Sequence, residues 1–152
     1  MDDDLRDLYQ EVILDHGRQP RNFGTPPPDT NRRADGHNPL CGDRLSLFIT
    51  YEDGVVRDVA FTGNGCAISI ASASLMTEMV KGMTEAEVSE IFRRFHSLVT
   101  DDGAEADQEA LDKLTVFSGV REFPVRVKCA TLAWHTLVAA LDGSADEVST
   151  ED

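Results

Sequence analysis

The most constraining feature of this sequence is a change of hydrophobic period near residue 65. Before it, apolar and polar residues alternate in two runs, Leu45–Tyr51 and Val55–Phe61, as in strands with one buried face. Asp53-Gly54 between the runs predicts a tight hairpin. From Cys66 onward, apolar residues recur every three or four positions, which is typical of helices. The chain is therefore expected to contain an antiparallel hairpin followed by helices.

Helical patterns occupy much of the remaining sequence. The predicted helices begin near Asp4, Cys66, Thr84 and Pro124, with a shorter one near Leu111. Thr84 and Glu87 have the spacing of a capping box, in which each side chain bonds to the backbone amide of the other residue. Residues 18–38 contain several prolines and predict a loop, to which Asp35–Leu40 could add a third, shorter strand.

The strands and the helices are separated along the chain, and this order favours the α+β class. We expect a small antiparallel β-sheet that is packed on one face by helices, with helices at both ends of the chain. A length of 152 residues is typical of one domain and is sufficient for a core without disulfides. Residues 1–152 are therefore expected to form one domain, with an acidic, mobile tail from about residue 143.

The charge balance argues against several classes of partner. The formal net charge is -14 at pH 7, which disfavours binding to nucleic acids and to anionic membranes. Met1–Asp4 lack the features of a secretory signal, and no apolar run approaches the roughly 18 residues of a spanning helix. We expect a cytoplasmic protein that binds neither nucleic acid nor membranes. The sequence leaves the oligomeric state open and is compatible with a monomer.

Three cysteines, Cys41, Cys66 and Cys129, are the main candidates for chemistry. An odd number cannot pair completely within one chain, and a reducing cytoplasm keeps thiols unpaired. No Cys-x-x-Cys pair is present, so the spacing does not resemble that of a zinc finger. By spacing alone, the three residues are inert core cysteines, metal ligands or nucleophiles.

The positions of these cysteines at the ends of predicted elements favour a metal site. Cys41-Gly42-Asp43 precedes the first long strand, and in an extended conformation Cys41 and Asp43 would project to the same side. Cys66 begins a helix, whose N-terminus stabilises a thiolate, and Cys129 lies in the first turns of the last helix. Three thiolates and the Asp43 carboxylate form a donor set that suits tetrahedral Zn²⁺.

Three separated motifs resemble those of one protein family. The motifs are Cys41-Gly42-Asp43, Gly63-Asn64-Gly65-Cys66-Ala67-Ile68-Ser69 and Arg126-Val127-Lys128-Cys129-Ala130. In this order they resemble the SufU/IscU family of iron–sulfur cluster assembly proteins. The family's first helix and the loop after it are similar to Ile13-Leu14-Asp15-His16 and Pro20-Arg21-Asn22. The likeness extends from about residue 5 to residue 142, and it implies the family's fold and a metal site at the four residues named above.

Two features make the sequence most similar to the SufU branch of this family. IscU scaffolds carry a histidine immediately before the last cysteine, where this chain has Lys128. The segment between Cys66 and Cys129 is also longer here, with the extra residues around Leu98–Val120. The resemblance to SufU implies a zinc-dependent, sulfurtransferase-like protein that accepts persulfide sulfur from a SufS-type cysteine desulfurase. The alternatives are a scaffold that carries a transient iron–sulfur cluster and a structural zinc domain without chemistry.

Cys41 is the predicted sulfur acceptor and the residue to which we assign the catalytic role. It follows the proline- and glycine-rich stretch Pro26–Pro39 and precedes Gly42, so its backbone can move at a lower cost than that of a cysteine at a helix start. The resemblance to SufU implies the same acceptor. A ligand that must leave the metal and return is expected on such a segment.

The histidines are weaker candidates for metal ligands. His37 lies shortly before Cys41 and could approach the site, although we expect it in an exposed or supporting position. His16 is expected at the C-terminal end of the first helix, where a positive charge suits the helix dipole. The sequence contains no His-x-x-x-His pattern, which argues against a zinc hydrolase.

Overall fold

The structure, a computed structural model, describes residues 3–39, 42–100, 111–142 and 147–149. The α-helices are α1 (Asp3–Arg18), α2 (Ala67–Val80), α3 (Glu85–Thr100) and α4 (Pro124–Asp142), with a 3₁₀ helix at Asp112–Glu122. The strands are β1 (Arg32–Asn38), β2 (Asp43–Glu52), β3 (Val55–Asn64) and β4 (Glu147–Ser149). The predicted α+β class is confirmed: β1, β2 and β3 follow α1 and precede the other helices, and β4 follows α4.

The predicted hairpin is confirmed as β2 and β3. These strands pair antiparallel, with Leu47 opposite Phe61, and a bulge between Thr50 and Tyr51 shifts the register. Both Leu47 and Phe61 are completely buried under the helices. The alternation of apolar and polar residues therefore located this part of the sheet correctly.

The predicted loop over residues 18–38 is wrong in its second half. β1 spans Arg32–Asn38 and pairs antiparallel with β2 over its whole length, so the third strand is longer and begins earlier than Asp35–Leu40. Its buried positions are Ala34, Gly36 and Asn38. Because these side chains are small or polar, the strand lacks the branched apolar residues by which the other two were recognised.

A short fourth strand was not predicted. The order across the sheet is β3-β2-β1-β4, and β4 pairs parallel with β1, with Gly36 opposite Val148. The sheet is therefore antiparallel except at this edge. Since β4 follows α4, the last described element of the chain is a strand and not the expected helix.

The helices cover one face of the sheet. α4 packs across β1 and β2, α2 packs against α4 and β3, and α3 and the 3₁₀ helix pack against α4. The largest buried side chain, Trp134 of α4, lies beside Phe92 and Phe95 of α3 at centroid distances of 6.1 and 5.7 Å. Burial of each such side chain contributes about 1.5–3 kcal/mol to folding.

The strand β1 approaches α4 closely at Gly36. A Cβ atom at Gly36 would overlap Oγ1 of Thr136, so a larger residue could not occupy this position without a shift of strand or helix. Thr136 is itself fixed, because its hydroxyl donates to the carbonyl of Leu132 at 2.7 Å. The close approach brings the next inward-facing residue of β1, Asn38, to the N-terminal part of α4.

Two further sequence predictions concern the helices. The capping box is confirmed, because the amide of Thr84 donates to Oε1 of Glu87 at 3.1 Å and the amide of Glu87 donates to Oγ1 of Thr84 at 3.2 Å. His16 lies in the last turn of α1 as expected, but it is not the cation that the sequence interpretation assumed. His16 is buried, its Nδ1 lies 2.7 Å from Oγ of Ser74, and burial lowers its pKa. Within the described ranges, no helix has both the length and the hydropathy to cross a bilayer.

Candidate metal centre

Asp43, Cys66 and Cys129 meet at one end of the sheet. Asp43 is the first residue of β2, Cys66 is the N-cap of α2, and Cys129 lies in the second turn of α4. One ligand atom from each of the three lies within 4.8 Å of the others. Asp43 and Cys129 are completely buried, whereas Cys66 is half-buried. Three residues that are far apart in sequence thus form one cluster of two thiols and a carboxylate.

Both oxygens of the Asp43 carboxylate accept hydrogen bonds from the protein. The backbone amide of Cys66 donates to Oδ1 at 3.0 Å, and the side-chain amide of Asn38 donates to Oδ2 at 3.3 Å. The first contact depends on Gly65, because a Cβ atom there would lie 2.6 Å from Oδ1. These two donors hold the carboxylate in a fixed orientation.

Cys66 is held as the N-cap of α2. Its backbone is extended, with φ -70° and ψ 166°, and its Sγ accepts a hydrogen bond from the amide of Ser69 at 3.5 Å. A hydrogen bond with the Cys129 side chain lowers the pKa of the Cys66 thiol to about 6. Burial and the Asp43 carboxylate oppose this shift, and the amide of Ser69 supports it. The thiolate form of Cys66 is therefore accessible near neutral pH.

Cys129 is oriented by groups from two elements. Its Sγ donates to the carbonyl of Val125, one turn earlier in α4, at 3.7 Å. The same sulfur accepts a hydrogen bond from Nδ2 of Asn38 at 3.5 Å. The packing of β1 on α4 thus determines where the Cys129 sulfur lies relative to the sheet.

The fourth predicted ligand and predicted catalytic residue, Cys41, lies outside the described residues. The premise of an extended Cys41-Gly42-Asp43 is wrong, because Gly42 has φ +73°. Its amide donates to the carbonyl of Asn38 at 2.8 Å, which holds the residue before β2 close to the end of β1. Asp43 is therefore not approached by an extended Gly42, as the sequence suggested.

The donor chemistry of the cluster fits a zinc ion. Zinc in protein sites bonds thiolates at about 2.3 Å and takes carboxylate oxygens as well, so tetrahedral ligand atoms lie roughly 3.5–3.8 Å apart. The ligand atoms of the cluster lie within 4.8 Å of one another, so small side-chain movements would bring them to that separation. In the part of the chain that the structure describes, no other set of three or more cysteine, histidine or acidic residues is close enough to hold a metal ion.

The histidines do not join this cluster. His37 is half-buried in β1, next to Asn38 but on the opposite face of the sheet. His96 and His135 lie around the ring of Phe92, between α3 and α4. None of these three histidines is part of the cluster, and the half-buried position of His37 is consistent with the supporting position expected for it.

Sequence reasoning missed Asn38 as a residue of the site. Its side chain is completely buried and contacts both Asp43 and Cys129. One signal was present in the sequence, namely a polar residue at the end of a strand and three positions before Cys41. The third strand that the sequence suggested, Asp35–Leu40, contains Asn38 but extends beyond it, so Asn38 was not recognised as the residue at the end of a strand.

The fold and the cluster define a small α+β protein with a thiol–carboxylate site that could hold a metal ion. Residues 8–130 match the family described as the NifU-like N terminal domain. The chain belongs to this family, which includes the IscU and SufU proteins that its motifs resemble.

Relatives of known name cover most of the chain. The chain is 37% identical, over 93% of its length and 87% of the relative, to a protein of Streptococcus pyogenes named iron-sulfur cluster assembly scaffold protein IscU. It is 39% identical, over 88% of each chain, to a protein of Bacillus subtilis named zinc-dependent sulfurtransferase SufU. The names of the relatives thus include both functions that the sequence left open.

A solved structure has the same fold. It is a protein of Fervidobacterium islandicum AW-1 described as a candidate iron-sulfur cluster assembly scaffold for the SUF system, with a TM-score of 0.80 and 33% identity. The match covers 90% of this chain and 98% of the other. The arrangement of sheet and helices is therefore shared with a SufU-like protein of known structure.

Proposed function

We propose that this protein is a zinc-dependent sulfur acceptor in iron–sulfur cluster assembly and receives persulfide sulfur from a SufS-type cysteine desulfurase. The observation that carries the proposal is the cluster of Asp43, Cys66 and Cys129, to which the sequence adds a third cysteine two positions before Asp43. The name of the Bacillus subtilis relative supports the same activity.

The proposed ligands of zinc are Cys41, Asp43, Cys66 and Cys129. Three thiolates and a carboxylate carry four negative charges, and such charges are costly in a buried site unless a cation is present. A divalent ion reduces the net charge of the site to about -2, and nearby cationic residues of α4 such as Lys128 reduce its effect further. Bound zinc keeps the thiols deprotonated near neutral pH.

We propose Cys41 as the acceptor because of where the three thiols are attached. Cys66 caps α2, and Cys129 is completely buried within α4, so either sulfur could move only with a packed helix. Cys41 lies in sequence between the end of β1 at Asn38 and the start of β2 at Asp43, next to Gly42. A ligand on a short connecting segment can leave a site and return with a smaller loss of packing than one on a packed helix.

The transfer step is an exchange between a thiolate and a persulfide. The Cys41 thiolate attacks the terminal sulfur of the desulfurase cysteine persulfide, and a new sulfur–sulfur bond forms on Cys41. The bond between that terminal sulfur and the desulfurase cysteine breaks, and its electron pair leaves with the desulfurase thiolate. The persulfide is passed on without net oxidation or reduction, so no further reactant is needed.

The second candidate function is a scaffold on which an iron–sulfur cluster is built. The name of the Streptococcus pyogenes relative favours it, and cysteine thiolates are the usual ligands of such clusters. The two functions differ in the metal that the protein carries. Zinc in the protein as purified favours the sulfur acceptor, whereas iron and sulfide bound after incubation with a desulfurase favour the scaffold.

The test is to incubate the parent protein with desulfurase and cysteine and to locate the persulfide by peptide mass spectrometry. We expect the extra sulfur on Cys41, and we expect Cys41→Ser to abolish transfer. Cys66→Ser and Cys129→Ser are the matched comparisons, because they remove a proposed ligand but leave the acceptor. Undiminished transfer in Cys41→Ser, or sulfur on Cys129 in the parent, would contradict the assignment of the acceptor.

A further inference from the structure

We propose that Asn38 is a positioning residue that joins the two buried ligands of the metal site, Asp43 and Cys129. The inference rests on the proposed function, since it concerns the same site. Nδ2 of Asn38 donates to Oδ2 of Asp43 at 3.3 Å and to Sγ of Cys129 at 3.5 Å. One side-chain amide therefore bridges β2 and α4.

The position of Asn38 follows from the packing of its strand. Asn38 lies directly opposite Asp43 in the β1–β2 pairing and is completely buried. Gly36, two residues earlier on the same face, allows β1 to lie against Thr136 of α4. The strand thus carries the Asn38 amide to the place where the end of the sheet meets the helix.

An amide is suited to this place because of its chemistry. The amino group of asparagine offers two hydrogens, so it can donate to a carboxylate and to a sulfur at the same time. Both acceptors are negative when they bind a metal, and two buried negative groups repel each other. A neutral donor between them stabilises both without adding charge. A carboxylate or an apolar side chain at this position could not do so.

The contact also determines how Asp43 is presented. Oδ1 is held by the amide of Cys66 and Oδ2 by Asn38, so the carboxylate cannot rotate without losing a donor. Hydrogen-bonding partners of this kind orient metal ligands, and their loss typically reduces metal affinity about 10- to 100-fold. We therefore expect the amide of Asn38 to contribute to zinc affinity although it does not bind the ion.

The test compares the zinc dissociation constants of the parent, Asn38→Ala and Asn38→Leu by competition with a chromophoric chelator. Asn38→Leu occupies the buried space without donating, so it separates the loss of the amide from the loss of volume. His37→Ala is the matched control, because its side chain lies on the opposite face of the same strand. We expect about 10- to 100-fold weaker binding in both Asn38 variants, and no more than a twofold change in His37→Ala.

A second measurement distinguishes positioning from a general effect on folding. Thermal unfolding of the metal-free proteins reports the structural role, and the absorption spectrum of the Co²⁺-substituted proteins reports the geometry of the site. We expect the Asn38 variants to change the Co²⁺ spectrum and His37→Ala to leave it unaltered. Zinc bound equally tightly by the parent and by both Asn38 variants would overturn this inference alone. A parent that binds no zinc would overturn the proposed function as well.

Discussion

At the scale of single residues, the buried polar side chains of this protein connect different elements. Asn38 joins β1 to β2 and α4, and His16 joins α1 to α2 through Ser74. Oγ of Ser74 also accepts a hydrogen bond from the backbone amide of Arg21 at 2.9 Å. The hydroxyl proton of Ser74 is therefore available for donation to Nδ1 of a neutral His16. Such contacts replace hydrogen bonds to water, and their loss leaves a buried group without a partner.

His16 is expected to make the stability of the fold depend on pH. Burial is the largest cause of its lowered pKa, Arg21 adds to the effect, and Glu78 and Asp15 oppose it. The unfolded chain therefore takes up a proton near the ordinary pKa of 6.5, at a pH where the folded protein does not. The free energy of unfolding falls as the pH decreases below 6.5 and through the pKa of the folded state.

The measurement is the melting temperature of the parent and of His16→Asn between pH 8 and pH 5. Asparagine places an amide near the position of Nδ1 but does not titrate. The other titratable groups are present in both proteins, so their contributions to the pH dependence of stability cancel in the comparison. We expect the parent to lose stability relative to His16→Asn as the pH falls below 6.5. A difference between the two that stays constant over this range would contradict the prediction.

Lys128 is expected to support sulfur transfer by its charge and not to bind zinc. Its ammonium group has no lone pair for a metal, and it precedes Cys129 in a strongly acidic chain. We expect Lys128→Ala to keep stoichiometric zinc but to reduce the rate of transfer about two- to fivefold, as for the loss of one exposed charge interaction. Lys113→Ala, an exposed lysine of the 3₁₀ helix, is the control. Loss of zinc from Lys128→Ala to the degree seen in Cys129→Ser would be evidence against this role.

At the scale of elements, the contact between β1 and α4 holds the site together. β1 provides Asn38, α4 provides Cys129, and the two elements meet without an intervening side chain at Gly36. At this contact the backbone of β1 packs directly against the side chain of a threonine in α4, so a larger side chain on either element would not fit.

Gly36→Ala is expected to be destabilising because its Cβ would overlap Oγ1 of Thr136. We expect a loss of about 1–3 kcal/mol in the free energy of unfolding, as for overpacking in a core. Thr136→Ala in the same chain removes the overlap, so the double variant should be more stable than Gly36→Ala. Gly119→Ala is the control, because a Cβ there meets no atom within 4 Å. Denaturant unfolding of the four proteins measures these differences, and a double variant without any recovery would argue against steric overlap as the cause.

At the scale of the whole molecule, the cluster connects three parts of the chain that lie far apart in sequence. Asp43 begins β2, Cys66 caps α2 and Cys129 lies in α4. An ion bound by all three residues would therefore link the sheet to α2 and α4. Because the unfolded chain does not present these groups together, metal binding adds to the stability of the fold.

Removal of the metal is therefore expected to lower the melting temperature. Free metal at 1,000 times its dissociation constant stabilises a protein by about 4 kcal/mol, and each kcal/mol shifts the melting temperature of a chain of this size by roughly 2–4 °C. We expect a chelator to lower the melting temperature by about 8–16 °C, as measured by calorimetry. The same chelator should have little effect on Cys129→Ser, which lacks a proposed ligand. An unchanged melting temperature in the parent would exclude a structural role for the metal.

Much of the architecture followed from local patterns in the sequence. Alternation of apolar and polar residues indicated the hairpin of β2 and β3. A spacing of three residues indicated the capping box at Thr84, and the fixed φ of proline indicated the start of the last helix at Pro124. These are properties of neighbouring residues, so a sequence displays them directly. The motifs around Asp43 and Cys66 likewise indicated the family before any tertiary contact was known.

The remainder was decided by contacts between residues that are distant in the chain. β1 is a strand because β2 pairs with it and α4 covers Gly36, although its own buried residues are not typical of strands. β4 exists only through its pairing with β1. Asn38 reaches Cys129 across 91 positions of sequence. The sequence by itself determined the helices, the hairpin of β2 and β3 and which thiols are available. Only the tertiary structure decided that β1 and β4 are strands and which polar groups meet, because burial and close packing depend on the whole fold.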